Sequence, residues 1–507
     1  MKKHIPLRLF FVTLLLAGFG QACTDLEEEL YSSIDGDSFL SSEAELIAAL
    51  GAAYTNLYPL AGNGNIYSLQ EVTSDEIVVP TRGNDWNDGG NWRRLHLHTY
   101  GPEDDRIRDS WNFLFQGINT CNRLVFQFEK VEVENKAAIL SELKALRALF
   151  YWWALDTYGR VPIITQFDVP ADFAPPNNTR QEVYDFCINE LESNIGNLSK
   201  SNDATTYGRM NYWAAKMLLA KLYLNSEVYT GKTEWPAARD AAKEIYESGL
   251  FDLEPDYFSN FAVNNGGSAE AILAIPYDKV FAPGFNLAQM TLHYGSQNTY
   301  NLQEQPWNGF CTLEEFYNSY EDNDARKGSF LVGQQFSSTG EPILDDGAEP
   351  TDPDGPPLNF TPEINELGPN ALRQAGARIG KFEYELGGTQ HMSNDFPIFR
   401  YADAVLMYAE ALWRINPNDG QALMLVNMIR ERAQVDPFAE LTAENLLAER
   451  GRELFSEIHR RTDQIRFGTY NDAWWEKPAD PSDHVNIFPI PQNQLDNNQN
   501  LTQNPNY

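Results

Sequence analysis

Basic residues are scarce in this chain: 38 Lys and Arg stand against 72 Asp and Glu, giving a formal charge of -34. Phosphate backbones are held by clustered Lys and Arg, so no nucleic acid is assigned as a partner. The charge suits a well-solvated protein that meets neutral or cationic ligands. Cysteine is also rare, with 4 in 507 residues. Beyond Cys23 only Cys121, Cys187 and Cys311 remain, an odd number spaced far apart. That is no disulfide framework, and the three read as buried free thiols with room for one bridge. CxxC, HExxH and Gly-rich phosphate loops are all missing, which removes the usual zinc, thiol-redox and phosphate-loop chemistries. His96 and His98 alternate on what reads as a strand but have no evident third ligand, so neither metal nor cofactor is assigned. After residue 22 no stretch approaches the ~20 apolar residues of a membrane-spanning helix.

What is present begins with an export signal over residues 1–22. Lys2, Lys3 and Arg8 form a positive start, Leu9 to Phe19 a short apolar core, and Gly20-Gln21-Ala22 a run that includes small residues before Cys23. The core is too short to span a bilayer, and the order matches a secretory signal. A cysteine at that place predicts a bacterial lipoprotein with Cys23 lipidated as the mature N-terminus. The competing reading is an ordinary secretory signal. The acidic run Asp25-Leu26-Glu27-Glu28-Glu29 would be repelled by an anionic leaflet and so hold the chain off the membrane. With 42% hydrophobic and 13% aromatic residues, the remainder can build a sizeable core.

Helices are predicted at both ends of the chain. Ser42 and Glu45 have capping-box spacing and open a helix through Leu46, Leu50, Ala53 and Leu57. Ser141 to Tyr158 repeats Leu143, Leu146, Phe150 and Trp153 at helical spacing. Thr179 and Glu182 form a second capping box, before a helix through Val183, Phe186 and Leu191. Asn211 to Tyr229 and Trp235 to Ser248 read as one helix pair, Asp403 to Ile415 and Gln421 to Ala433 as another, and Thr442 as the cap of one more helix. The repeat period is irregular, so periodicity supports helical hairpins that pack, with small residues at their contacts. Residues 60–104 and 260–395 lack such periodicity. Loops this long are usually functional or disordered, and their aromatic content argues against disorder.

Five ordered motifs carry a resemblance to a known family. They are Phe399 to Ala411 (FRYADAVLMYAEA), Val426 to Ala433 (VNMIRERA), Glu449 to Leu454 (ERGREL), Phe488 to Pro491 with Asn504 to Tyr507, and upstream Arg147 to Tyr151 with Tyr158 to Pro162. Gly208-Arg209 with Ala214 to Leu224 adds a further match. The pattern resembles the SusD/RagB family over nearly the whole chain. One departure is clear: Ser456-Glu457-Ile458-His459 stands where a family glycine is usual. The resemblance implies a mainly α fold, with a tetratricopeptide-like scaffold of helical pairs and a loop-rich ligand-binding insertion. It divides the chain into the signal at 1–22, an N-terminal helical region at 23–259 with a ligand loop at 75–98, the insertion at 260–395 and a C-terminal helical region at 396–507. It further implies a non-catalytic, surface-exposed, outer-membrane lipoprotein that binds glycans and delivers them to a SusC-type TonB-dependent transporter. A peptide-binding lid of the same family is the alternative, and a surface glycoside hydrolase is the third reading.

Candidate ligand residues follow from sugar chemistry. A sugar offers C–H faces to aromatic rings and a rim of hydroxyls to short polar side chains. Trp86 and Trp92, set among Asp85, Asn87, Asp88 and Asn91, supply both in the segment 75–92, which resembles a family stretch carrying part of the sugar site. Tyr294 and Trp307 supply a second set amid amides and hydroxyls. Each tryptophan suits a core role equally well, and Arg82 with Asp85 suits a pair that holds the loop. Asp345, Asp346, Asp352 and Asp354 could ligate Ca²⁺, but their spacing is not that of an EF-hand, and a solvated acidic loop is the simpler reading.

Overall fold

The computed structural model describes residues 42–345, 347 and 357–507. The signal, Cys23, Asp346, Asp352 and Asp354 lie outside the described residues. Helices dominate, and the described strands are short. The first, α1 (Glu43–Tyr54), starts as its cap predicts: Ser42 Oγ accepts from the Glu45 N–H at 3.3 Å, and the Glu45 carboxylate accepts from the Ser42 N–H at 2.9 Å. Two orphan donors are thereby satisfied. Leu46, Leu50 and Ala53 face inward, and the chain then tightens into a 3₁₀ turn over Thr55–Leu57.

The longest of these helices is α2 (Asp105–Phe128), 24 residues that bury Ile107, Trp111, Leu114, Ile118, Cys121 and Val125. Those positions recur at three and four residues, the signature of an amphipathic helix, although the helix is missing from the sequence reading. Next come α3 (Lys136–Thr157) and α4 (Arg180–Asn194), the latter opened by the Thr179–Glu182 capping box. The α2 and α3 axes approach closely because Phe150 beds on Gly117, where a Cβ would stand 2.4 Å from the ring. In α5 (Tyr212–Leu224) the run predicted to Tyr229 breaks at Asn225 and resumes as the short helix Ser226–Thr230. Then follow α6 (Trp235–Tyr246), α7 (Tyr401–Ile415), α8 (Gly420–Arg432), α9 (Ala443–Leu454) and α10 (Arg460–Phe467).

Neighbouring helices pack in sequence, α2 on α3, α3 on α4, α5 on α6 and α7 on α8. The α6–α7 contact spans the insertion, so this helical row continues across more than a hundred intervening residues. Ala214, Ala215, Ala220, Ala402, Ala409 and Ala411 are all fully buried at these seams. Cys121, Cys187 and Cys311 are buried free thiols.

The polar letters of the C-terminal motifs lie in the interior, paired with one another. Arg400 bonds Glu270 at 3.0 Å, Glu453 at 2.6 Å and Glu457 at 2.7 Å. Arg326 bonds Glu449 at 2.7 Å and Glu453 at 3.1 Å. Burial alone would raise the Glu449 carboxyl, but Arg326, Arg452 and Arg430 hold it at about 2. Buried charges persist only when matched in this way.

Two strand pairs position the loops. β1 (Ile77–Val78) pairs antiparallel with β3 (Cys311–Thr312), and β2 (Ala271–Ile275) with β4 (Phe396–Arg400). The first pair sets residues 79–92 beside residues 305–310, though more than two hundred residues separate them.

Candidate functional site

Beyond β1 the chain turns at Arg82, whose buried guanidinium acts as a clamp. It donates to the carbonyls of Asn308 and Gly309, both at 2.9 Å, of Ala375 at 2.8 Å and of Leu372 at 3.1 Å. Arg82 and Asp85 meet through their backbones, at 3.2 and 3.1 Å, and not as a side-chain pair. The Asp85 carboxylate is thus left to accept a short hydrogen bond from the Tyr294 hydroxyl. That bond ties the first loop to the second.

Trp86 follows with φ 60°, a left-handed conformation uncommon for a non-glycine residue and one that clusters at functional positions. Its indole lies on Gly309, where a Cβ would come within 2.2 Å of the ring. Its Nε1–H donates to the Trp307 carbonyl at 2.7 Å. The Trp86 ring centroid is 6.2 Å from Trp307, 5.5 Å from Phe310 and 5.3 Å from Trp92. Trp86 and Trp307 remain partly exposed, and with Tyr294, Asp85, Asp88 and Asn63 they border an open cleft of ≈ 430 Å³. Gln305 and Pro306 complete its edge.

Trp92 departs from the expectation that it faces a ligand. It is 1% exposed, on the short helix Asn91–His96, with its Nε1–H on Asp88 Oδ2 at 2.7 Å and Phe310 at 5.2 Å between ring centroids. A ring sealed beneath Trp86 and Phe310 offers no face for stacking, so Trp92 is the bed of the platform. Asn87 is exposed on the same turn but lies off the cleft wall. His96 closes that short helix instead of lying on a strand, and His98 follows it with φ 53°. Beside Tyr294, residues Ser296–Tyr300 form a single helical turn where an irregular loop was expected.

One side of Tyr294 is covered by the Arg373 guanidinium, 4.7 Å from the ring centroid. Arg373 in turn grips Asp345 through Nε at 2.6 Å and Nη2 at 2.9 Å, and His293 Nε2 lies 3.2 Å from the same carboxylate. Burial would raise the Asp345 carboxyl, but hydrogen bonds with His293 and Arg373 carry it far below its usual range. Of the four acidic residues weighed for Ca²⁺, Asp345 is therefore committed to the protein's own cation. Burial and the bond to Asp85 push the Tyr294 phenol up to about 12, so it stays protonated and donating at neutral pH. Burial takes His293 down to about 4 despite Asp345. Among the described residues no cluster of metal-ligating side chains is found.

The cleft thus combines two partly exposed indoles, a phenol and the acceptors Asp85 and Asp88 with the amides Asn63 and Gln305. Asp88 shares the glycine-rich stretch that the sequence brought forward. Asn63 and Gln305 carry no local signal, and only folding brings them to the wall.

Two family models match the chain: one described as SusD family, over residues 375–507, and one described as starch-binding associating with outer membrane, over residues 26–224. The starch-binding protein SusD of Bacteroides thetaiotaomicron is 25% identical over 487 residues, covering 87% of this chain and 85% of that protein. A SusD-like protein of Bacteroides ovatus is 23% identical over 475 residues, covering 85% and 82%. Among solved structures, a laminarin binding SusD-like protein superposes with a TM-score of 0.75 at 23% identity, over 92% of this chain and 100% of that one. Surface glycan-binding protein A from Bacteroides thetaiotaomicron in complex with laminarihexaose gives a TM-score of 0.73 at 22% identity, over 91% and 99%. The fold is therefore that of a SusD-like protein.

Proposed function

The chain belongs to the SusD/RagB family, and on that premise we propose that it is a non-catalytic glycan-binding lipoprotein of the outer-membrane surface. In this reading Cys23 carries the lipid, and the protein hands its ligand to a SusC-type TonB-dependent transporter. The observation that carries the proposal is the convergence of Trp86, Trp307 and Tyr294 on one cleft with Asp85, Asp88 and Asn63. Aromatic rings meet the C–H faces of a sugar, while carboxylates and amides take its hydroxyls. Among the described residues no cation lines the cleft, and Arg373 behind Tyr294 is engaged by Asp345, which suits a neutral chain better than an anionic one. Relatives named for starch and laminarin point to the same ligand class.

The test is calorimetric titration with oligosaccharides of differing linkage, alongside Trp307→Ala. Truncating Trp307 leaves its backbone carbonyl in place for the Trp86 N–H. Affinity should fall tenfold or more, about 1.4 kcal/mol. Wild-type affinity of that variant for a bound oligosaccharide, or binding of peptides in place of sugars, would refute the assignment.

A further inference from the structure

A second groove lies past the other end of the short helix Asn91–His96. Trp92 on that helix lies beneath Trp86, while His96 Nε2 lies 2.8 Å from the carbonyl of Trp475. The four residue steps from Trp92 to His96 climb about 6 Å along a helix. Here two cavities of ≈ 490 and ≈ 500 Å³ share Asp75, Ala448, Arg460, Ala473 and Trp474 as walls.

Trp474 stands on a braced turn. Its N–H bonds the Lys477 carbonyl at 3.1 Å, and the Lys477 N–H bonds the Trp474 carbonyl at 2.9 Å. Between them Glu476 takes φ 53°. The Lys477 ammonium lies 4.0 Å from the Trp474 ring centroid and 2.9 Å from Asp480, which also meets His98 Nδ1 at 2.8 Å. The two histidines noted in the sequence therefore hold this turn from behind. At the floor, Arg460 grips Asp75 through two bonds of 2.6 and 2.8 Å. Phe467 walls one lobe and Phe316 the other.

Three residues of the first lobe carry buried polar atoms without a hydrogen-bond partner among the described residues: Gln464 Oε1, Thr469 Oγ1 and Trp474 Nε1. Gln464 is itself only 2% exposed. Buried polar groups are nearly always paired, so three on one wall call for an explanation. Each of these atoms belongs to a side chain that lines the groove. Together they need a ligand that both donates and accepts. An ammonium group has donors only and leaves the indole N–H unmet. An anion meets Asp75, Asp472 and Glu444 around an arginine already engaged. Hydroxyl groups satisfy all three, and the flanking rings suit a sugar's C–H faces.

We propose that the Trp474 groove is a second carbohydrate site, taking the same ligand class as the Trp86 cleft; this rests on the glycan reading above. The test is calorimetry on the full chain with an oligosaccharide panel that includes laminarihexaose and maltohexaose. It compares wild type with Ala473→Arg, Trp86→Ala and the double variant. Ala473 is exposed, so a large side chain there plugs the groove without repacking the core. Two binding sites are expected in wild type and one in each single variant. The double variant should bind tenfold weaker or more at both. Wild-type stoichiometry in Ala473→Arg overturns the proposal, as does an oligolysine peptide displacing sugar from the groove. Loss of one site in Ala473→Arg with full binding in Trp86→Ala supports the groove and refutes the first cleft instead.

Discussion

Gly309→Ala is a one-carbon test of the Trp86 platform. Gly309 has no left-handed φ, so alanine fits its backbone, and any effect is steric. The added Cβ would stand 2.2 Å from Trp86 Cε2 and 2.5 Å from Cζ2. Ordinary van der Waals contact begins near 3.4 Å, so the indole must retreat by over 1 Å or swing away. Retreat is blocked on the far side by Trp92 and Phe310, at 5.3 and 5.5 Å between centroids. Overpacking of this kind costs about 1–3 kcal/mol. The hydrogen bond from Trp86 Nε1 to the Trp307 carbonyl is strained at the same time, a further loss of about 1 kcal/mol. Glycan affinity should fall about tenfold or more, read by calorimetry, and near-UV circular dichroism should report the displaced indole. Gly101→Ala is the control, because no heavy atom lies within 4 Å of its Cβ position. A Gly309→Ala protein with altered near-UV signal but wild-type affinity would refute the reasoning, since Trp86 would then be displaced without consequence for the ligand.

The remaining predictions concern the buried acids and the anchor. Burial lifts Glu71 from 4.5 to about 7, and Glu76 beside it is raised by burial and then by the Glu71 charge. A carboxyl raised in the folded state stabilises fully below the unfolded value near 4.5 and loses that contribution as pH climbs through 7, an upper bound of about 3 kcal/mol for Glu71. Urea unfolding should therefore show wild-type stability falling between pH 4.5 and 7.5, and Glu71→Gln should flatten that slope; an unchanged slope would contradict the assignment. Glu449, held at about 2, acts in the opposite sense and in another window, losing its contribution as pH drops from 4.5 towards 2. At the N-terminus, wild-type protein should fractionate with outer membranes and co-purify with a TonB-dependent transporter in mild detergent. Cys23→Ala should be released or left unprocessed, and normal processing with unchanged fractionation of that variant would rule out the lipid anchor.

The helical scaffold was legible because its signals are local. Ser42, Thr179 and Thr442 each sit where a capping bond forms within three residues, and apolar spacing in α3 and α7 marks the buried faces. The same spacing marks the buried face of α2, from Ile107 to Val125. The family motifs were equally visible, though their charges were not interpretable until Arg400 met carboxylates 53 to 130 residues away. In place of the family glycine, Ser456 and Ile458 take φ 61° and 67°, and Glu71 fixes the Ile458 N–H at 2.6 Å. The left-handed loop thus persists without glycine because a distant acid holds it.

For the site, the residue types were readable and their orientations were not. Trp86 and Trp92 lie six residues apart in one polar loop, yet one borders the cleft and the other is sealed. That difference comes from Phe310 and Gly309, which arrive through the β1–β3 pairing. Gln305 reaches the wall by the same route, whereas Asn63 is held there by the Arg106 guanidinium, which donates to its carbonyl at 2.9 Å. Sequence determines what a segment prefers locally and which chemistry it carries. Which face of a ring is left for a ligand depends on what packs behind it, and here those partners lie more than two hundred residues along the chain.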